Sequence, residues 1–143
     1  MSKVKSQRSI ETAGAGRRRF RPSHYDLEAW QEAMRLAKAV YEATTDFPTS
    51  DRFGLTQQLR RAAVSVPSNI AEGAARGSLA ELVRFLLIAR GSLLELDTQL
   101  WLAREFGYKF DHAALSRSLE NLCIKLNALI AANRKLKAKA NLD

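Results

Sequence analysis

From Leu27 the apolar residues Leu27, Trp30, Met34, Ala37, Val40 and Tyr41 recur every three or four positions with polar residues between them, the spacing of one helix face. The pattern stops at Phe47-Pro48, because the residue before a proline is pushed out of the helical region, so a first helix is predicted over about 26–46. After "PTSD", where Thr49 or Ser50 can serve as N-cap, Leu55, Leu59, Ala62, Ala63, Val66 and Ile70 mark a second helix over about 51–76. Ser78-Leu79-Ala80-Glu81 has the form of a capping box, and Gly77 before it suits a left-handed helix end, so a third helix follows over about 78–106. It carries Leu82, Leu86, Ala89, Leu93, Leu96, Leu100 and Ala103 and closes at Phe106-Gly107. Asp111 then caps a fourth helix over about 111–136, with Leu115, Leu119, Leu122, Leu126, Leu129 and Leu136 in the same register.

No segment alternates with period two for long enough to be a strand, so the fold class is all-α. Amphipathic helices joined by connections of a few residues run antiparallel to their predecessors, which predicts an up-down-up-down four-helix bundle. With 143 residues, 46 % of them hydrophobic, the chain suits one domain. Residues 1–22 carry no apolar period and are expected to be a flexible basic tail, 23–133 form the bundle, and 134–143 are a basic C-terminal end.

The third helix holds more apolar residues than one stripe needs. Val83, Leu87, Leu94 and Trp101 lie about 100° around from the first stripe, and two apolar faces require two neighbours. Burying each such side chain is worth about 1.5–3 kcal/mol, so this second face is expected to be the interface of a homo-oligomer.

The stretch "RRAAVSVPSNIAEGAARGS" (60–78) puts Pro67 inside the second helix. A mid-helix proline removes the bond to the carbonyl of Ala63 and costs about 3 kcal/mol unless it is compensated, so a bend is expected at Pro67, Ser68 and Asn69, with Ser65, Ser68, Asn69 or a neighbouring arginine serving the freed carbonyl. On the polar side of the same helix Arg61, Ser65, Ser68, Glu72 and Arg76 fall on one stripe, with Arg60 adjacent. Two readings of that stripe stand. In the structural one, Arg60 and Arg61 pair with acidic groups such as Glu72, Glu95 or Asp97 within or between subunits, and Asn69 is hydrogen-bonded inside. In the functional one, Arg60, Arg61 and Arg76 join the basic ends in a surface for phosphate backbones.

Charge placement gives the second reading its weight. The net charge of +8 is concentrated at the ends: residues 1–22 hold seven basic residues, among them Arg17, Arg18, Arg19 and Arg21, against Glu11, and 134–143 hold Arg134, Lys135, Lys137 and Lys139 against Asp143. Residues 23–133 are close to neutral, with twelve basic and thirteen acidic residues. Such basic ends can hold phosphate backbones without reading sequence, through counterion release. Trp30, Trp101 and Phe85 are not interleaved with the basic clusters, so stacking on bases is not expected.

Other chemistry finds no residue set. Di-iron bundles need Glu-x-x-His pairs, and the two histidines, His24 and His112, sit at helix starts with no glutamate three residues before them, so no metal and no cofactor are expected. The serines near Pro67 have no histidine close in sequence and no Gly-rich phosphate loop is present, so an enzyme is not expected. The single Cys123 excludes an internal disulfide and reads as a small apolar helix residue in a reducing compartment. The N-terminal residues carry no apolar run of a secretory signal, and the richest apolar run is broken by Arg84, Arg90, Glu95 and Asp97, so a cytoplasmic protein with no membrane span is expected.

"DLEAWQEAMRLAKAVYEATTDFP", "FGLTQQLRRAAVSVPSNIAEGAARGS" and "RFLLIARGSLLELDTQLWLAREFGY" resemble the bacterial four-helix-bundle proteins related to those encoded in intervening sequences of 23S ribosomal RNA genes. The resemblance covers about residues 25–110 and rests on the arginine pair, the Ser-x-Pro-Ser-Asn-Ile-Ala-Glu-Gly run and the Gly-Ser-Leu-x-Glu-Leu run; the fourth helix matches only in pattern. It implies an antiparallel bundle that assembles as a homopentameric ring with no established enzymatic activity. The chain is also similar, more distantly, to accessory proteins of diversity-generating retroelements, pentameric basic bundles that associate with a reverse transcriptase and nucleic acid. The expected function is therefore a non-enzymatic oligomeric scaffold that binds RNA or a nucleic-acid enzyme, with a purely protein–protein interaction module as the alternative.

Overall fold

The computed structural model describes residues 23–142. Among the described residues a short 3-10 turn (Ser23–Asp26) leads into α1 (Glu28–Thr44), a second 3-10 turn (Thr49–Asp51) into α2 (Leu55–Ala75), and α3 (Leu79–Glu105) and α4 (His112–Leu142) follow, with no strand. The fold is all-α. The basic residues Arg17, Arg18, Arg19 and Arg21 and the tail expected over 1–22 lie outside the described residues.

Helix ends follow local chemistry. α2 starts later than the predicted 51, and its cap is neither Thr49 nor Ser50. The Asp51 carboxylate accepts from the amides of Leu55 (3.1 Å) and Thr56 (3.3 Å), placing a negative group where the helix dipole favours one. Ser78 Oγ accepts from the Glu81 amide at 3.2 Å as expected, but the Glu81 carboxylate turns to Arg84 Nε at 3.1 Å, so only half of the capping box is made. Gly77 and Gly107 close α2 and α3 with φ of +80° and +82°, the left-handed conformation that glycine adopts without Cβ strain. Asp111 Oδ1 accepts from the Ala114 amide at 3.0 Å and caps α4. That helix runs on to Leu142, past the predicted 136, because Lys135, Lys137, Ala138, Lys139 and Ala140 are good helix formers and cations suit a helix C-terminus.

Each helix has two main neighbours: α2 packs against α1 and α3, and α4 against α1 and α3. Leu59, Val66, Ile70, Leu86, Leu93, Leu96, Leu122 and Leu126 are among the side chains sealed between them. The predicted inward stripe holds for α2, and for α3 only Leu82 is left half-buried. In α1 it is rotated by about one position: Ala29, Ala33, Leu36, Val40 and Thr44 face inward, while Met34 and Tyr41 are exposed. Small residues on the inner face let the helix axes approach, and the larger Trp30 instead lies half-buried against the rings of His24 and Tyr25. In α4 Ile130 and Asn133 take inward positions, and Leu136 is exposed.

Candidate nucleic-acid interface

The two sides of α2 differ in how their polar groups are partnered. Toward α3, Ser65 Oγ and Ser92 Oγ share a hydrogen bond of 2.8 Å, and Asn69 Nδ2 donates to Ser65 Oγ (2.9 Å) and to the Ser65 carbonyl (2.8 Å). Ser68 Oγ donates to the Val64 carbonyl at 2.8 Å. The helix continues through the buried Pro67, and the two side chains after it reach the carbonyls of Val64 and Ser65 instead of the predicted Ala63 carbonyl. Further along, a Cβ on Gly73 would stand 2.7 Å from the Cβ of Phe85, so only glycine lets α2 and α3 touch there.

Arg76, at the end of this contact, is tied down. Its Nη2 pairs with Glu72 at 2.8 Å and its guanidinium lies 5.0 Å from the Phe85 ring centroid, on which Arg84 also rests at 4.6 Å while paired with Glu81. Both cations are compensated by carboxylates on their own helices.

The other side opens as a groove of about 540 Å³ between the end of α1, the following connection and the start of α2. Tyr41, Arg52, Phe53, Gln57, Arg60 and Arg61 line it. Arg60 Nε donates to Thr44 Oγ1 at 2.9 Å, and the guanidinium sits 4.6 Å from the Tyr41 ring centroid. The Arg52 guanidinium lies 5.8 Å from the ring of Phe53, which is 82 % exposed. Arg61 is exposed, and among the described residues none of the three arginines forms an ion pair with a carboxylate. Among the described residues of one subunit, Arg60 and Arg61 do not pair with Glu72, Glu95 or Asp97; Glu72 takes Arg76 and Glu95 accepts from Gln99. Three uncompensated positive charges therefore converge on one concave surface.

The remaining sequence-predicted residues fall elsewhere. Lys135, Lys137 and Lys139 are exposed on the last turns of α4, about 15–20 Å along that helix from Lys125 at the rise of an α-helix. Lys125 bridges α4 to the start of α1, bonding Glu28 at 3.0 Å and Glu32, and these hydrogen bonds, Glu32 first, hold its pKa above the ordinary lysine value. At the groove end of the molecule the half-buried Tyr108, packed on Phe47, has its phenol pushed up by desolvation and then by the Asp51 carboxylate. Of the expected interface residues, Val83 is buried in the chain's own core and Leu87 is half-buried against it, which removes Val83 from any exposed face. Leu94 and Trp101 are exposed at 51 % and 45 %, and Ile88 and Leu102 beside them are exposed too. Trp101 rests on the buried His112 at 4.3 Å between centroids.

Tyr41, Arg52 and Phe53 line the groove without standing among the sequence-predicted candidates. Tyr41 was assigned to the buried stripe, and the available signal for the other two was an aromatic beside an arginine in a charged connection, "SDRFG", ahead of the first stripe residue Leu55. Among the described residues no cluster of three or more His, Cys, Asp or Glu side chains can hold a metal, and no helix is long and apolar enough to cross a membrane. Residues 25–132 match the family described as 23S rRNA-intervening sequence protein. No curated protein matches the chain.

Proposed function

The chain belongs to the 23S rRNA-intervening sequence protein family, and from that premise we propose that it is a non-enzymatic, cytoplasmic RNA-binding scaffold. The observation that carries this reading is the convergence of Arg52, Arg60 and Arg61 on one groove without an ion-paired carboxylate among the described residues, while Arg76 and Arg84 each have one. Unpaired guanidinium groups hold phosphate oxygens through charge-assisted, bidentate hydrogen bonds. The exposed lysines at the end of α4 lie beyond Lys125, toward the end of the bundle away from the groove, and supply a second basic patch whose affinity for phosphates is set by counterion release rather than base sequence.

The helices run up-down-up-down, in keeping with Gly73 near the end of α2 meeting Phe85 near the start of α3, and with Trp101 late in α3 meeting His112 at the start of α4. The bundles assemble as a homopentamer through α3, whose exposed Leu94 and Trp101, seven residues apart on one face, and Ile88 and Leu102, further round the helix, leave apolar surface that water disfavours. A ring multiplies each weak phosphate site by the subunit number and raises avidity through effective concentration.

Protein purified without nuclease is expected to carry RNA, seen as a raised 260/280 nm absorbance ratio, and to bind single-stranded RNA in filter assays with an affinity that falls as salt rises. A nucleic-acid-free preparation that binds no RNA at low salt would leave the protein-interaction module as the surviving reading. Light scattering at micromolar concentration is expected to give a pentamer, and a monomer there would remove the ring.

A further inference from the structure

Resting on the RNA-binding reading, we infer that the Tyr41–Phe53 groove is a nucleotide site for single-stranded RNA, in which one unpaired base stacks on Phe53 while Arg52 and Arg61 hold the flanking phosphates. Three features of the groove point to this ligand. The Phe53 phenyl ring is 82 % exposed, with the Arg52 guanidinium 5.8 Å from its centroid, an arrangement that leaves a face open to a planar partner. Arginine is the cation that combines phosphate chelation with stacking on flat π systems, and Arg60 already lies over Tyr41 in that way at 4.6 Å. The Thr44 hydroxyl fixes Arg60 at 2.9 Å, which holds the floor of the groove in place, while Arg52 and Arg61 have no anionic partner among the described residues.

One nucleotide supplies both complements at once, a π face and a negative charge. An acidic peptide segment supplies the charge but has no obligatory flat group for Phe53. A duplex hides its base faces within the stack, so the same groove takes unpaired bases from loops, bulges or single strands. The volume of about 540 Å³ falls among pockets that hold compact organic ligands, which commonly span about 300–1,000 Å³, and leaves room for a base and its sugar phosphate. Sequence reasoning discounted stacking because Trp30, Trp101 and Phe85 lie apart from the basic clusters; the fold instead brings Tyr41 and Phe53 to Arg52, Arg60 and Arg61.

The test uses the full chain and two probes, a fluorescent single-stranded oligoadenylate and a blunt RNA duplex of equal length. Phe53→Ala is expected to weaken binding of the single strand by about tenfold or more, as loss of one stacked base does, and to leave the duplex affinity and the salt slope unchanged. Phe53→Trp is expected to restore single-strand affinity and to report binding by quenching of its fluorescence. Arg61→Ala is expected to lower the slope of log K against log salt by about 0.7 per site, whereas Arg117→Ala, an exposed α4 charge outside the groove, leaves it unchanged. If the wild-type protein binds neither probe, the RNA-binding function itself falls. If it binds the single strand and Phe53→Ala binds as tightly, the function stands and the nucleotide site is overturned. If polyglutamate displaces the single strand from wild type but fails to do so from Phe53→Ala, the groove belongs to an acidic protein segment and the site is likewise overturned.

Discussion

α2 meets two environments. Along α3 its polar side chains close on one another: Ser65 with Ser92, Asn69 with Ser65, Arg76 with Glu72, and Gly73 against Phe85. Along the groove Phe53 stands 82 % exposed, and Arg52 and Arg61 form no ion pair among the described residues. The contrast separates residues selected by folding from residues that folding leaves unsatisfied. A buried hydrogen-bonding group needs its partner for stability, whereas an exposed guanidinium without one costs the fold little and stays free for an external anion.

Substitutions on the two sides should therefore divide between stability and binding. The largest loss is expected from Leu93→Ala, which empties a fully buried site on α3: denaturant unfolding should show about 2–5 kcal/mol of destabilisation with RNA affinity unchanged while the protein remains folded. Next comes Gly73→Ala, whose new methyl meets the Phe85 Cβ at 2.7 Å; a cost of about 1–3 kcal/mol in the same measurement is expected, partly offset by alanine's better helix propensity. Ser65→Ala strips Asn69 and Ser92 of a shared partner and should cost about 1 kcal/mol. Across the helix, Phe53→Ala and Arg61→Ala should move stability by no more than about 0.5 kcal/mol while weakening RNA binding.

The smallest expected effect is electrostatic. Lys125 and Tyr108 have folded-state pKa values raised above their ordinary 10.5 and 10.0, so each favours the folded state while protonated, below about pH 10, and loses that contribution as pH rises through the raised value. The thermal midpoint should be flat between about pH 7 and 9 and decline above about 10, and the decline should be shallower in the Lys125→Met, Tyr108→Phe double variant. An equally steep decline in that variant would assign the alkaline loss to other groups.

How far the sequence could be read depended on whether a feature is periodic. Leu55, Leu59, Ala62, Ala63, Val66 and Ile70 are buried as their spacing predicts, because they form one stripe and α2 packs against both α1 and α3. α1 was read one position off because its pattern offers large residues, Met34 and Tyr41, where packing selects the alanines. The extra apolar face of α3 was visible as a surplus, but spacing alone could not show that Val83 is absorbed by the chain's own core while Ile88 and Leu102 stay exposed. The groove was hidden for a different reason. Its rings and cations come from α1, a connection and α2, and adjacency across three elements leaves no period in the sequence. The polar stripe of the second helix grouped Arg61 with Arg76, yet the fold gives the first an open groove and the second a carboxylate.

The most direct measurement is the salt dependence of single-stranded RNA binding for the wild-type protein and two double variants, Arg52→Ala/Arg61→Ala in the groove and Arg76→Ala/Arg84→Ala beside Phe85. The groove variant is expected to lower the slope of log K against log salt by about 1.4, while the carboxylate-paired variant keeps the wild-type slope. Equal losses in both variants, or a loss confined to Arg76 and Arg84, would contradict the assignment of phosphate binding to the uncompensated arginines.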